Sequence, residues 1–235
     1  MKIHYDIEQE RQGLQECVQA SAIQILSYYG IKKTLADVKK EVPVYVDEFG
    51  INRGTSLGHI ATYFQELGLR TKLHTVDLIV FDRSWISVTK NELIANLKLR
   101  ERYVKHGWYD QKLIKVMING YTSYIKSGGS VLQPVVDVPY ILSYLEKGPL
   151  YFVVSYNSLN NCSKYDFSKE NEQDPIKGLP STHAIVVSGY ENGFFEIVDP
   201  DFNFGGYRKI SASQLIAAYY LAETDTDCLF ISIEK

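Results

Sequence analysis

Thiols are scarce in this chain: Cys17, Cys162 and Cys228 are its three cysteines. An odd, sparse set is not a disulfide framework. None forms a Cys-x-x-Cys pair, so a thiolate zinc site is not expected, and His4, His59, His74 and His106 make no metal-ligand spacing with carboxylates. Neither a metal nor a cofactor is expected. The first residues, Met1 to Glu8, carry no apolar stretch of the secretory kind. No apolar run approaches the about 18 residues that span a bilayer. A membrane location is therefore not expected, and a cytoplasmic one is, where thiols stay reduced. There is no basic excess either. The formal net charge is −3 and the pI about 6.0, which argues against a nucleic-acid partner. Repeats and low-complexity tracts are also missing.

What is present fits a globular protein. Hydrophobic residues make up 45% and charged residues 23% of 235 positions, enough to bury a core without staples. The length suits one domain, residues 1–235, with an insertion. Val18, Ala22, Ile25, Leu26 and Tyr29 recur at helical spacing and Gly30 stops the run, which sets Cys17 at a helix start. Thr34 and Asp37 have the spacing of a capping box. Ser56 and Gly68 bracket another helical run, and residues 69–81 read as extended. From Thr89 to Lys126 the pattern is helical, broken near Gly107, and residues of about 84–130 form the expected helical insertion. Asp137 to Lys147 reads as a further helix with Pro139 in its first turn.

The rest of the chain changes character. Leu150 to Tyr156 and His183 to Tyr190 read as buried strands, with residues 157–182 as a polar loop between them. Asn192-Gly193 is a two-residue hairpin signal, and Phe194 to Val198 is its return strand. Tyr207 to Ile210 is a short strand, Ser211 caps a helix, and Cys228 to Ile233 closes the sheet. The fold class is α+β: a helical N-terminal half packed on an antiparallel β-sheet C-terminal half. A cleft between the halves is the expected place for a site.

Three residues point to chemistry there. A thiol at a helix N-terminus, Cys17, feels the positive end of the helix dipole and unpaired N–H groups, and both favour the nucleophilic thiolate. His183 opens a rigid strand and can face a cleft. The Asn192-Gly193 turn brings the end of the return strand back beside that strand's start, so Asp199 comes near His183, with Asp201 as the fallback. A carboxylate there sets the imidazole tautomer and leaves the other nitrogen for the thiol. Cys162 and Cys228 read as structural.

The order Cys, His, Asp resembles that of papain-like hydrolases. The chain resembles more closely the bacteriocin-leader (double-glycine) peptidase family, in its stand-alone cytosolic branch. The likeness rests on Cys17 through Gly30, Gly54-Thr55-Ser56-Leu57, Val80 through Trp85, Ser127-Gly128-Gly129, Gly178 through Tyr190, Val198-Asp199-Pro200 and Thr224 through Leu229. It implies a papain-like cysteine peptidase fold with Cys17, His183 and Asp199 as the catalytic set. It also implies a Gln shortly before the Cys as oxyanion donor. The usual offset of six lands on Arg11, so Gln12, followed by Gly13, is preferred, with Gln9 and Gln15 open. Val18-Gln19 stands where the family has Gly-Pro. The implied activity is cleavage of a peptide or amide bond through a thioester acyl-enzyme, on a peptide or small amide substrate. Acyl or peptidyl transfer by the same site, and an inactive binding domain of the same fold, are the alternatives.

Overall fold

The computed structural model describes residues 1–46, 54–103, 111–166, 172–222 and 229–235. Cys228, His106 and Gly107 lie outside the described residues. The expected helices are found as α1 (Cys17–Tyr28), α2 (Leu35–Glu41), α3 (Leu57–Glu66), α4 (Lys90–Tyr103), α5 (Gln111–Lys126) and α6 (Val138–Leu145). One further turn, α7 (Tyr156–Asn160), precedes the last helix, α8 (Ala212–Leu221). Thr34 and Asp37 close the expected capping box on α2, and Ser211 accepts from Gln214 N to start α8. Ser56 sits at the N-cap of α3 without capping it. Its hydroxyl donates to the Met117 carbonyl of α5 at 3.2 Å instead.

The sheet is built of β1 (Lys2–His4), β2 (Arg70–Thr75), β3 (Ser130–Leu132), β4 (Leu150–Ser155), β7 (Thr182–Glu191), β8 (Phe194–Asp199), β9 (Gly206–Ser211) and β10 (Leu229–Glu234). A separate pair, β5 (Tyr165–Asp166) and β6 (Glu172–Gln173), stands apart. The strand order is β3-β2-β10-β4-β7-β8-β9, with β1 also beside β7. The α+β class is as expected. The sheet also recruits β1, β2 and β3 from the helical half, and β2–β3 is its one parallel pair among the described residues. Of these, only β2 falls in a stretch that reads as extended. The segment expected as a bare loop after β4 begins with α7, because Ser155 caps it through Ser158 N and Asn161 ends it in the left-handed region.

Both faces of the sheet are covered. On β4, Tyr151 and Val153 join a core with α1, α3 and α5, while Leu150, Phe152 and Val154 join a second with α6 and α8. On β7, Ala184 and Val186 face the first and Ile185 and Val187 the second. Burial on both faces is the reason these strands read as unbroken apolar runs, and each such side chain contributes about 1.5–3 kcal/mol. Helices α3 and α5 cross backbone to backbone, since a Cβ on Gly58 would lie 2.3 Å from the Gly120 carbonyl carbon. Tyr151 Oη donates to the Val18 carbonyl at 3.2 Å, which pins the first turn of α1 to the sheet.

Candidate active site

Strand register decides which side chains meet. The Asn192-Gly193 turn, with φ of 51° and 86°, sets Glu191 opposite Phe194. Counting inward, Gly189 faces Glu196, but Val187 faces Ile197, so Ser188 is an extra residue, a bulge. Beyond it Val186 faces Val198, and one step further Asp199 falls opposite Ile185. His183 is two residues from Ile185 and shares its face, so Asp199 and His183 are diagonal neighbours on one side of the sheet. Without the bulge Asp199 would oppose Val186 and point to the other face. Ser188 is held in place by its carbonyl, which accepts from Tyr5 N at 2.8 Å.

The two side chains meet as expected. His183 Nε2 donates to Asp199 Oδ1 at 2.7 Å, and both residues are buried. Asp199 Oδ1 also accepts from Asp201 N at 2.9 Å, and Oδ2 accepts from Arg208 Nη1 at 2.9 Å. Asp201 is not the partner of His183. Its carboxylate accepts from Asn203 N and Phe204 N and closes the β8–β9 turn. The ring of Tyr156 stands edge-on to the imidazole, centroids 5.3 Å apart.

Helix α1 brings Cys17 up to His183. Strand β8 pairs with β7 only from Val186 onward, and α1 packs at the His183-Ala184 end. Ser21 Oγ donates to the Ala184 carbonyl at 3.0 Å. Cys17 is the half-buried first residue of α1. Glu16, at the N-cap, makes no side-chain cap. Its carboxylate turns back to Gly13 N at 3.1 Å and pairs with Lys39.

The charges follow from this packing. Burial pushes the Cys17 thiol up, but its hydrogen bond to His183, the His183 charge and the Ala184 and Val18 N–H groups outweigh it and hold the thiol below its ordinary value. Burial alone would push His183 down. The hydrogen bonds to Asp199 and Cys17, and their charges, carry it up to about 10. Asp199 is raised by burial, yet its bond to His183, with the His183, Asp201 N–H and Arg208 contributions, leaves it below the usual carboxylate range. The His183–Asp199 hydrogen bond and these directions together favour thiolate at Cys17 and imidazolium at His183.

The three glutamines separate by their contacts. Gln9 Nε2 donates to the Asp199 carbonyl at 3.2 Å, which commits that amide. Gln15 sits at φ 57° in the turn before α1. Gln12 is tethered through its backbone N–H to the Pro200 carbonyl at 2.9 Å, and its side-chain Oε1 is buried without a partner.

No family profile and no curated protein sequence matches the chain. Solved structures do. A crystal structure of a C39-like peptidase from Bacillus anthracis superposes with a TM-score of 0.55, over 100% of this chain and 98% of that one, at 11% identity. The chain has the C39-like peptidase fold. The peptidase domain of Streptococcus ComA, a bifunctional ABC transporter of a quorum-sensing pathway, has a TM-score of 0.44 at 13% identity, covering 98% of both chains. A double-glycine motif protease of an AMS/PCAT transporter, solved with its leader peptide, has 0.42 at 12%, covering 98% of this chain and 92% of that one.

Within this C39-like fold, several contacts have no clear trace in the sequence. Arg208 reads there as a charge on a short strand, Tyr156 as the last residue of a buried strand and Asn160 as a loop residue. Gly189 is the one local signal of the bulge, since an isolated glycine in a strand often marks one. His74 lies in the second core, where Tyr140 Oη and Ser232 Oγ, each 2.9 Å away, satisfy both ring nitrogens. Among the described residues no helix is long and apolar enough to cross a membrane.

Proposed function

We propose that this chain is a cysteine-dependent hydrolase that cleaves a peptide or amide bond through a thioester. The buried His183–Asp199 hydrogen bond, with Cys17 at the start of α1 beside the imidazole, carries the reading. Asp199 holds Nε2 of His183 and leaves Nδ1 for the thiol, the orientation a nucleophile–base pair needs. The Cys17 thiolate attacks the carbonyl carbon. The oxyanion that forms is met by the Gln12 amide N–H and by backbone N–H at the uncapped start of α1. His183 then gives its proton to the leaving amine as the tetrahedral species collapses to the thioester. Acylation removes the thiolate charge that helps hold His183 protonated, so the imidazolium becomes a better acid at that moment. In the second half His183 takes a proton from water, and hydroxide attack releases the acid and restores the thiol.

A peptide substrate accords with the C39-like fold, and a reducing compartment such as the cytoplasm accords with a working thiol. The same reading treats residues 1–235 as one papain-like domain with the helices of about 84–130 inserted. The close crossing of α3 and α5 supports packing of that insertion on the rest.

The test has two readouts on the full chain. Alkylation of Cys17 against pH should begin well below the free-thiol value of about 8.5. In His183→Ala burial is left opposed only by two N–H groups, so the onset should move above that value. Incubation with a peptide mixture under reducing conditions should yield new termini by mass spectrometry, lost in Cys17→Ala. A thiol that titrates near 8.5 in both proteins, with no new termini, would sink the proposal.

A further inference from the structure

Asp199 has a second cation. In the β8–β9 pair Asp199 faces Gly206 and Ile197 faces Arg208, so Arg208 is a diagonal neighbour of Asp199 on the same face. His183 stands in the matching diagonal position on β7. One fully buried carboxylate therefore lies between an imidazole at 2.7 Å on Oδ1 and a guanidinium at 2.9 Å on Oδ2. Arg208 is itself fixed, since Nη1 also donates to Asn160 Oδ1 of α7 at 2.8 Å. We propose that Arg208, anchored by Asn160, is a positioning residue that divides the Asp199 charge and so limits how tightly that carboxylate holds a protonated His183.

The physics is that of competing cations in a poorly solvated place. A lone carboxylate at hydrogen-bond distance in low dielectric would stabilise the imidazolium so well that proton release to a leaving amine would suffer. A fixed guanidinium on the second oxygen draws on the same negative charge and repels the imidazolium. It also keeps Asp199 ionised and in one rotamer. The other groups near the pair are Cys17 on α1, Tyr156 on α7 and Asp201 after β8, whose carboxylate is turned to its own loop. Arg208 is the cation among them. Both contacts come from the one nitrogen Nη1, and lysine keeps the charge but carries it on a flexible stem without the planar group that fixes it there.

The inference rests on the hydrolase reading, and its test separates the two. The rate of Cys17 alkylation by a neutral reagent is followed against pH in the full chain, together with the ring 15N shifts of His183. Wild type should show thiolate reactivity at low pH and a second transition where the imidazolium loses its proton. In Arg208→Gln the second transition should rise by about 0.5–1 pH unit, the size expected on losing a nearby cation that acts through an intervening carboxylate. Arg208→Lys should restore most of it. Asn160→Ala should move it the same way by less. Melting curves confirm folding, and should Arg208→Gln not fold, Asn160→Ala decides by the same readout. A purely structural Arg208 would lower stability and leave the transition in place, which overturns the inference. Absence of any His183-dependent reactivity in wild type overturns the hydrolase reading, and this inference with it.

Discussion

The hairpin that carries His183 and Asp199 and the segment that leads into Cys17 meet where Gln12 N–H reaches the Pro200 carbonyl. On the hairpin side the carboxylates of the site are partnered. Both Asp199 oxygens, His183 Nε2 and the Asp201 carboxylate are satisfied by named donors or acceptors. The segment 9–16 is different. Gln12 Oε1 is buried without a partner, Gln15 takes a left-handed φ, and the N-cap of α1 lacks a side-chain cap. A fully paired base–carboxylate unit costs no reorganisation when charge develops. The segment beside the thiol is less fixed, and it carries the Gln12 amide proposed to meet a bound carbonyl. The site is finished on the side that manages the proton and open on the side that receives the substrate.

Deleting Ser188 attacks the finished side at its source and should have the largest effect. Without the bulge the hairpin register moves Asp199 to the opposite face, away from His183. Asp199 keeps Arg208 through the unchanged β8–β9 register but loses His183, and breaking such a buried pair costs about 3–5 kcal/mol, read as a fall in the denaturant midpoint. Low-pH alkylation of Cys17 should vanish with it. Ser188→Ala keeps the residue count and removes only a 3.3 Å hydrogen bond to the Glu196 carbonyl, worth about 1 kcal/mol or less. Equal effects of the two changes would disprove the register argument.

How much of this was readable from sequence follows the same division. The hairpin was legible because Asn192-Gly193 fixes the turn, and because β7 and β8 are apolar enough to be recognised as strands. Those two signals bring Asp199 to His183. The bulge that makes the meeting work was not read, because Ser188 looks like any strand residue and only Gly189 marks it. Three-residue strands such as β1 and β3 have no period of their own and exist through their partners. The polar segment 9–16 has no periodicity at all, so the choice among Gln9, Gln12 and Gln15 could not be made there. Contacts narrow it, by committing the Gln9 amide to the Asp199 carbonyl. Nothing in the sequence singles out Arg208, because a charge on a short strand ordinarily faces solvent.

Gln12→Ala probes the open side. Loss of one oxyanion donor costs about 10²–10³ in kcat, so turnover of a cleaved peptide should fall by about that factor. Alkylation of Cys17 should be unchanged, since that reaction forms no oxyanion. Gln9→Ala should do the reverse in kind, costing about 1 kcal/mol of stability with turnover close to wild type. Should Gln9→Ala instead abolish turnover while Gln12→Ala does not, the donor assignment is wrong.

The smallest effect comes from one of a pair of glycines, one on each side. A Cβ on Gly189 would lie 2.6 Å from the Ile3 carbonyl oxygen, and backbone cannot yield. Gly189→Ala should therefore cost about 1–3 kcal/mol of overpacking strain. A Cβ on Gly13 would lie 2.3 Å from Glu16 Oε2, the far end of a flexible side chain. That carboxylate can swing away, giving up its bond to Gly13 N, while the loss of backbone freedom in the unfolded chain returns about 0.4–1 kcal/mol. Gly13→Ala should thus leave the melting temperature nearly where it is. A Gly13→Ala penalty as large as that of Gly189→Ala would mean that the segment before Cys17 is as tightly built as the hairpin.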